Sequence, residues 1–210
     1  MAIDLERCIG CHACSVACKV ENEVELGYFR TKVYYHDQGV FPHTKRSFLP
    51  ALCMQCEDAP CIEACPTDSI GRSAEGIVGI NFHSCDTRGD CISACPYGAI
   101  HIDPVQSVAD KCDFCSHRLS RGMQPACVEA CPTEVLIFGD SRDPASPIAR
   151  FHAKHGEELG VLKPGKGTQP QVTYRGLGRV VPREMENKLP ENRNHDPHSY
   201  EIDTWASLKP

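Results

Sequence analysis

The apolar residues of this chain are grouped in short runs that alternate with polar positions, and cysteine, glycine and proline separate the runs. Three of these runs have the period-two pattern that is typical of short strands, at residues 76–82, 97–103 and 134–140. Each run follows a Cys-Pro pair, where proline ends a preceding helix and turns the chain. The pattern therefore predicts short strands, each preceded by a turn.

The residues before the last cysteine of a run have the pattern of a single helical turn. This applies to residues 15–17, 92–94 and 128–130. The order of a cysteine-bearing loop, a short helix, a turn and a short strand recurs along the chain. The sequence therefore predicts an internal repeat.

The pattern changes after about residue 140, where no further cysteine occurs. Residues 146–155 predict one short helix with Pro147 near its start, and residues 171–174 predict one strand. The rest is polar and rich in turn residues, with a lone tryptophan at Trp205. A region with so few apolar residues does not fold as a domain of its own. We expect residues 141–210 to form an extended C-terminal arm on a partner subunit, and a disordered tail is the alternative.

Fifteen cysteines among 210 residues are the main chemical feature of the chain. The first run reads C-x2-C-x2-C-x3-C, a spacing that binds one iron–sulfur cluster with three thiolates and a neighbouring cluster with the fourth. Spacing alone allows run one to pair with run two or with run four. The four runs are Cys8, Cys11, Cys14 and Cys18; Cys53, Cys56, Cys61 and Cys65; Cys85, Cys91 and Cys95; and Cys112, Cys115, Cys127 and Cys131.

Two other roles for dense cysteine are a disulfide scaffold and a zinc site. The cysteine count is odd, the spacings are regular, and the start of the chain shows no pattern of a signal peptide, so the disulfide scaffold fits poorly. Zinc sites use pairs of C-x2-C motifs, and three cysteines at successive x2 spacing are not a zinc pattern. Thiolates with few interleaved carboxylate or histidine ligands favour iron–sulfur clusters.

The third run departs from the pattern because Arg88 stands where a second cysteine is expected. A guanidinium is cationic and has no lone pair to give to iron. Our hypothesis is that the cluster bound here has three irons. The competing hypothesis is a four-iron cluster in which Asp86, Asp90 or water binds the fourth iron.

Composition and charge exclude several other functions. The net charge is −6, so no basic excess points to nucleic acid. No stretch has the length and apolar character of a membrane span, so we expect no direct membrane insertion. We find no nucleophile–base pair, no glycine-rich phosphate loop and no catalytic acid, so we expect no catalytic residue and a non-catalytic role in an oxidoreductase complex. His12, His101 and His117 are interpreted as solvent-facing histidines, and the alternative is that they support the cluster ligands or take up protons.

Several motifs together resemble one protein family. Residues 1–4 and 7–19 resemble the start of the electron-transfer (beta) subunit of the dimethyl sulfoxide reductase family of molybdenum enzymes. Residues 52–67 resemble its second run, and residues 111–133 resemble its fourth. Residues 161–168 are similar to the polysulfide or thiosulfate reductase members. The resemblance covers about residues 1 to 175, and the residues after 176 match nothing that we can name.

The resemblance implies an α+β fold with two bacterial-ferredoxin-like modules, the second inserted in the first. Module A is residues 1–48 plus 104–140, and module B is the inserted segment 49–103. Run one then pairs with run four and run two with run three. The implied ligands are Cys8, Cys11, Cys14 and Cys131 for cluster one; Cys18, Cys112, Cys115 and Cys127 for cluster two; Cys53, Cys56, Cys61 and Cys95 for cluster three; and Cys65, Cys85 and Cys91 for cluster four.

The implied cofactors are three [4Fe-4S] clusters and one [3Fe-4S] cluster, with a fourth [4Fe-4S] as the alternative. Nitrate-reductase-type relatives hold a [3Fe-4S] centre where tryptophan replaces the cysteine at the slot of Arg88, so arginine departs from both family patterns. The family also implies a line of clusters. Cluster one would lie nearest a molybdenum bis(pyranopterin) catalytic subunit, and cluster four nearest a membrane quinone-binding subunit.

The function that we expect is relay of single electrons between these two partners. A freely diffusing polyferredoxin shuttle and the beta subunit of a formate dehydrogenase or hydrogenase-type complex are the alternatives. We expect the protein at the cytoplasmic membrane, on the periplasmic side by co-export with its partner, and the cytoplasmic side is the alternative.

Overall fold

The computed structural model describes residues 1–181, and residues 182–210 lie outside the described part of the chain. The described part is a mixture of short helices and short strands, which confirms the predicted α+β class. The strands are β1 (Ala2–Asp4), β2 (Thr31–Val40), β3 (His43–Leu52), β4 (Ile70–Arg72), β5 (Val78–Ile80), β6 (Ile100–Ile102), β7 (Ala109–Lys111), β8 (Leu136–Ile137), β9 (Leu159–Gly160) and β10 (Thr173–Arg175). The helices are α1 (Ala13–Glu21), α2 (Pro60–Glu63), α3 (Asp90–Ala94), α4 (Ser116–Leu119), α5 (Ala126–Glu129), α6 (Pro147–His155) and α7 (Leu177–Val180).

The elements predicted around the cysteine runs are present. Strands β5, β6 and β8 lie within the three predicted strands and are shorter than predicted. Helices α1 and α3 include the predicted helical turns at 15–17 and 92–94, whereas α5 includes residues 128 and 129 and ends before Ala130, which is its C-cap. Helix α1 packs against α5, and α2 packs against α3, so the helix of run one meets that of run four and the helix of run two meets that of run three.

One sheet of four strands joins distant parts of the chain in the order β8-β1-β10-β9. Strand β1 pairs antiparallel with β8 and parallel with β10. The strand before run one therefore lies beside the strand after run four. The remaining described strands form three antiparallel pairs, β2 with β3, β4 with β5, and β6 with β7.

Helix α6 and strand β10 agree with the predicted helix at 146–155 and the predicted strand at 171–174. Ser146 caps α6, since its hydroxyl oxygen accepts a hydrogen bond from the N–H of Ala149 at 3.2 Å, and Pro147 occupies the first turn.

Residues 141–181 differ from the extended arm that the sequence predicted, because they pack on the chain's own core. Strand β10 covers an edge of β1 that would otherwise expose its N–H and C=O groups. The Tyr174 side chain is fully buried there, and its hydroxyl donates to the Pro50 carbonyl at 3.0 Å. The apolar residues of this segment occur one or two at a time, so they produced no periodic signal. The rest of the predicted arm, with Trp205, lies outside the described residues.

The hairpin formed by β2 and β3 was not predicted from the sequence. All ten residues of each strand are paired, from Thr31 with Leu52 to Val40 with His43. Its outer half is exposed on both faces, so apolar and polar residues do not alternate there. The side chains of Val33, Leu49 and Leu52 at its base are buried in the core.

Within residues 1–181, none of the helices has both the length and the apolar character that crossing a membrane requires.

Candidate iron–sulfur site

All fifteen cysteines are free thiols, and twelve of them belong to the hydrophobic core or pack against it. Most side chains are buried, whereas Cys11 is exposed at the surface. Negative charge on one thiol raises the pKa of its neighbours, and this interaction weakens with distance. Grouped by their largest interactions of this kind, the thiols fall into four sets.

Set one contains Cys8, Cys11, Cys14 and Cys131, from runs one and four. The pKa of Cys14 is raised to about 11, mainly by burial and in part by negative charge on Cys8 and Cys131. Burial also raises the pKa of Cys8, and charge on Cys131 and Cys11 adds to that effect. The packing of α1 on α5 brings these thiols together.

Set two contains Cys18, Cys112, Cys115 and Cys127, also from runs one and four. Burial raises the pKa of Cys18 to about 11, with a contribution from charge on Cys115. Burial raises the pKa of Cys112 well above its usual range, and charge on Cys18 and Cys127 acts in the same direction.

Set three contains Cys53, Cys56, Cys61 and Cys95, from runs two and three. Burial raises the pKa of Cys61 to about 12, and charge on Cys53, Cys95 and Cys56 contributes. Burial also raises the pKa of Cys56 to about 11, although the Thr168 hydroxyl opposes the shift.

Set four contains three thiols, Cys65, Cys85 and Cys91. The pKa of Cys91 is raised to about 11, mainly by burial and in part by negative charge on Cys65 and Cys85. The pKa of Cys65 is lowered to about 7, because hydrogen bonds from Ser69, from Thr67 and from the backbone outweigh its partial burial.

The sets follow one another in a row. Charge on Cys14 of set one raises the pKa of Cys127 in set two. Charge on Cys53 of set three raises the pKa of Cys112 in set two. Sets three and four share helices, because the neighbouring helices α2 and α3 carry Cys61 and Cys91 and end next to Cys65 and Cys95.

Hydrogen-bond donors surround the sulfur atoms. Backbone N–H groups donate to sulfur from Val135 to Cys131 at 3.3 Å, from Ala109 to Cys85 at 3.4 Å and from Phe114 to Cys112 at 3.5 Å. Such donors stabilise negative charge on thiolates and on the clusters that they bind.

The donor set fits iron–sulfur clusters. The thiols of three sets number four each and those of the fourth number three, all are reduced, and N–H groups point at their sulfur atoms. Among the described residues, no group of three or more histidine, cysteine, aspartate or glutamate side chains is arranged to hold a single metal ion. When bound, iron–sulfur clusters supply one-electron acceptors and donors, and these cysteines would hold them.

Comparison with known families agrees with this chemistry. The 4Fe-4S dicluster domain matches residues 44–141, and a 4Fe-4S binding domain matches residues 1–20. The B component of tetrathionate reductase from Salmonella typhimurium is 42% identical over 179 residues, which is 84% of this chain and 72% of that protein.

The B component of polysulfide reductase from Wolinella succinogenes is 40% identical over 177 residues, covering 82% of this chain and 91% of the relative. The arsenate respiratory reductase iron–sulfur subunit of a Shewanella species is 33% identical over 222 residues, covering 83% of this chain and 94% of the relative.

The protein belongs to the iron–sulfur (beta) subunits of the dimethyl sulfoxide and polysulfide reductase family of molybdenum oxidoreductases.

The family resemblance drawn from the sequence is thus confirmed. As an iron–sulfur electron-transfer subunit, the protein binds 4Fe-4S clusters in ferredoxin-type domains. The third run of this subunit has Arg88 on the surface. Its side chain is 62% exposed, and its Nε lies 3.3 Å from a carboxylate oxygen of Asp90. Its backbone N–H donates to Asp86 at 3.3 Å.

The interpretation of His101 as solvent-facing is wrong, since this residue is buried. Its ring stacks on Tyr28 with 5.2 Å between centroids, and its Nε2 lies 3.4 Å from an Asp110 oxygen. The pKa of His101 is lowered, mainly by burial. Apolar and polar residues alternate along its strand, so the pattern predicted one face of β6 exposed to solvent. Both Ile100 and His101 are buried, which means that both faces are covered. His12 and His117 are partly exposed or exposed, and each contacts a neighbouring side chain, Tyr35 and Glu21 respectively.

Sequence reasoning missed several polar residues of the subunit that lie close to the thiols. The Asn22 amide lies 3.6 Å from the Cys18 sulfur and 3.7 Å from the Cys115 sulfur. The Arg30 guanidinium donates to Asn22 at 2.8 Å and fixes its orientation. The only local signal was the spacing of Asn22, one helical turn after Cys18.

Gln55 and Lys111 were also missed. Both are buried between runs two and four. They lie next to cysteines in the sequence, but a glutamine and a lysine beside a metal-binding run have no spacing that distinguishes them from surface residues.

Proposed function

We propose that this subunit carries single electrons through four iron–sulfur clusters between a molybdenum bis(pyranopterin) catalytic subunit and a membrane quinone-binding subunit. The observation that carries the proposal is the row of four thiol sets in which each set neighbours the next. A row of this kind provides short steps between its two ends.

The proposed ligand sets are those implied by the family resemblance. Electrostatic contacts join Cys8, Cys14 and Cys131, and separately Cys18, Cys112 and Cys127, as this pairing requires. The packing of α1 on α5 and of α2 on α3, together with the pairing of β1 with β8, supports a module B inserted in module A.

We propose a [3Fe-4S] cluster at set four and [4Fe-4S] clusters at the other three. The environment of position 88 supports this assignment, because the Arg88 side chain points into solvent and pairs with Asp90. Asp86 accepts a hydrogen bond from the Arg88 backbone. The two carboxylates that the four-iron alternative would use therefore already have partners on the chain.

The two ends of the row have the surfaces that partner subunits would cover. Near set one, Cys11 is exposed, and Ile9 and Val16 are 57% and 59% exposed. Near set four, Phe82 and Val105 are 42% and 71% exposed. Apolar side chains at both ends are consistent with docking of a different partner at each end.

The experiment that tests the proposal is metal analysis and EPR spectroscopy of the anaerobically isolated complex. We expect about 15 irons per chain and the signals of four separate clusters. Zinc in place of iron, or far fewer irons, would refute the proposal. Co-purification of a large subunit distinguishes the relay from a free polyferredoxin, which would be fully competent as a monomer.

Activity assays of that complex with candidate compounds identify the substrate of the catalytic partner. The relatives are named for tetrathionate, arsenate, polysulfide and selenate reduction, so we propose an inorganic sulfur, arsenic or selenium compound as the terminal substrate. Reduced quinol should be oxidised when one of these compounds is added. Turnover with formate or hydrogen instead would favour the formate dehydrogenase or hydrogenase-type alternative.

We further propose that the complex lies at the periplasmic side of the cytoplasmic membrane. Ligands of each cluster come from separate runs, so folding and cluster loading depend on each other, and export would carry the folded protein with its partner. Fractionation of cells that lack the partner's export signal should leave this subunit in the cytoplasm. Cytoplasmic location in intact cells would refute this proposal.

A further inference from the structure

A lysine is buried in the middle of the row of thiol sets. Lys111 is the last residue of β7, and only 2% of it is exposed. Its ammonium group donates to two backbone carbonyls, that of Val78 and that of Cys112, the latter at 3.2 Å. Lys111 therefore lies beside the backbone of set two.

Lys111 also lies beside run two, which supplies Cys53, Cys56 and Cys61 of set three, because the Gln55 side chain of that run donates to the same two carbonyls, those of Val78 and Cys112. Burial raises the pKa of Cys61, charge on Cys53 raises it further, and the Lys111 ammonium is the cation that opposes these effects. Sets two and three approach each other at this place, through Cys53 and Cys112. The ammonium group is thus within electrostatic reach of both inner sets.

Lys111 forms no ion pair with a carboxylate among residues 1–181. Arg30, a second cation near the inner sets, is different, because Asp110 lies 2.6 Å and Asp113 3.4 Å from its guanidinium. The charge of Arg30 is compensated by these two aspartates. The charge of Lys111 meets only carbonyl dipoles.

Burial of an ammonium group without an opposite charge is unfavourable, because the charge loses its hydration. The two carbonyl oxygens accept from two of its three N–H donors and carry no net charge. Iron–sulfur clusters with thiolate ligands are anionic and gain one more negative charge on reduction, and their net charge and surroundings set their potentials. Anions on both sides of Lys111 supply the missing counter-charge.

We propose that Lys111 is a buried counter-ion shared by the two inner clusters and that its charge raises the reduction potential of both. The inference rests on the proposed function, since it requires clusters at sets two and three. A cation between the two clusters attracts the negative charge that an added electron brings, so it stabilises the reduced form of each cluster. Lys111 is therefore a positioning and tuning residue for the transfer between them.

The chain contains a neutral control in the same place. Gln55 is 1% exposed, and its side-chain amide donates to the Cys112 carbonyl at 2.8 Å and to the Val78 carbonyl at 3.3 Å. These are the two carbonyls that Lys111 contacts. Gln55→Met therefore removes neutral hydrogen bonds to the same two carbonyls, together with the bond that the Val78 N–H donates to the Gln55 amide oxygen at 2.7 Å, without removing a charge.

The test is an EPR-monitored redox titration of the isolated complex carrying Lys111→Met, Lys111→Gln, Lys111→Arg or Gln55→Met, with iron content measured on each sample. For Lys111→Met and Lys111→Gln we expect the ratio of reduced to oxidised inner clusters at a fixed potential to fall about tenfold. For a one-electron step this corresponds to a reduction potential that is lower by about 59 mV. Lys111→Arg and Gln55→Met should change this ratio by less than about threefold. The reduction potentials of clusters one and four should stay the same in all four variants.

The outcomes separate the two levels of inference. Iron missing from the wild-type complex refutes the proposed function. Full iron content with unshifted inner potentials in both neutral variants refutes the role of Lys111, as does an equal shift at all four clusters or in Gln55→Met. If Lys111→Met and Lys111→Gln do not bind the inner clusters, binding of these clusters by Lys111→Arg supports the role of Lys111 as a counter-ion. Failure of Lys111→Arg to bind them as well refutes that role.

Discussion

The inner thiol sets and the outer thiol sets are built from the same residue type but in different surroundings. In sets two and three seven of the eight cysteines are buried, and the eighth, Cys95, is half-buried. In sets one and four Cys11 is exposed, and Cys8, Cys65, Cys85 and Cys131 are half-buried. Burial raises the pKa of six inner thiols, as it does that of Cys8, Cys14 and Cys91. A lowered pKa occurs at two outer thiols, Cys65 and Cys131, where hydrogen bonds outweigh burial.

The difference shows that one ligand chemistry serves two purposes. Inner thiols replace the apolar core that a chain of this composition lacks, so metal binding and folding are coupled there. Outer thiols lie near the surface, where an electron enters or leaves the subunit. Mutations that act on one region and not on the other test this division.

The largest difference is expected between two single cysteine substitutions. Cys112→Ser removes a buried thiol next to Lys111 that is a proposed ligand of cluster two, and we expect it to lower the yield of assembled complex by more than about tenfold. Cys11→Ser changes an exposed thiol that is a proposed ligand of cluster one, and it should affect that cluster alone. Iron content and EPR spectra of both variants measure this, and equal losses would contradict the division into inner and outer sets.

A second difference concerns the type of cluster at the outer end. Arg88→Cys supplies a thiol in the C-x2-C position, so we expect conversion of cluster four to [4Fe-4S] and a lower potential. The EPR signal of the oxidised three-iron cluster should disappear. Arg88→Lys is the matched control, because it keeps a cation and adds no thiol. Survival of the signal in the cysteine variant would show that position 88 does not face the cluster.

A third difference concerns stability. Tyr174 is packed beside the loop that leads to set three, and its hydroxyl donates to Pro50. Tyr174→Ala should cost about 3–5 kcal/mol and Tyr174→Phe about 1–2 kcal/mol. Phe82→Ala, at the exposed outer end, should cost less than about 1 kcal/mol.

The midpoint of cluster loss in urea, followed by absorbance, ranks these three variants. A Phe82→Ala effect as large as that of Tyr174→Ala would mean that the outer end also supports the fold.

The smallest effect is expected at Asn22. Its amide lies close to the sulfur atoms of Cys18 and Cys115, and Asn22→Leu removes these donors. We expect the potential of cluster two to fall by the equivalent of about 0.5–1.5 kcal/mol. Redox titration measures this, with Asn22→Ser as a control that keeps a shorter donor. A shift confined to cluster four would contradict the assignment of both cysteines to set two.

Local parts of the site were predictable from the sequence alone. Cys8, Cys11 and Cys14 lie within seven residues, so covalent geometry brings their sulfur atoms to one loop. The turns after Cys65, Cys95 and Cys131 follow from proline. Helix α6 follows from Ser146 and Pro147 at its start. These features depend on neighbours in the chain.

The tertiary structure decided the features that depend on distant residues. The contact of Cys8 with Cys131 joins residues that no local pattern connects, and the family resemblance alone suggested their pairing. Strand β10 lies beside β1 because an unpaired strand edge requires hydrogen-bond partners, which isolated apolar residues do not reveal.

The placement of Lys111 is the clearest case. The sequence shows only that a lysine precedes Cys112. The packing of β7 against β5 is what buries this lysine next to the thiol sets. Ligand type and spacing are determined by the chain itself, because they are covalent. Burial and the neighbours of a charge are set by long-range packing, and these quantities control the potentials.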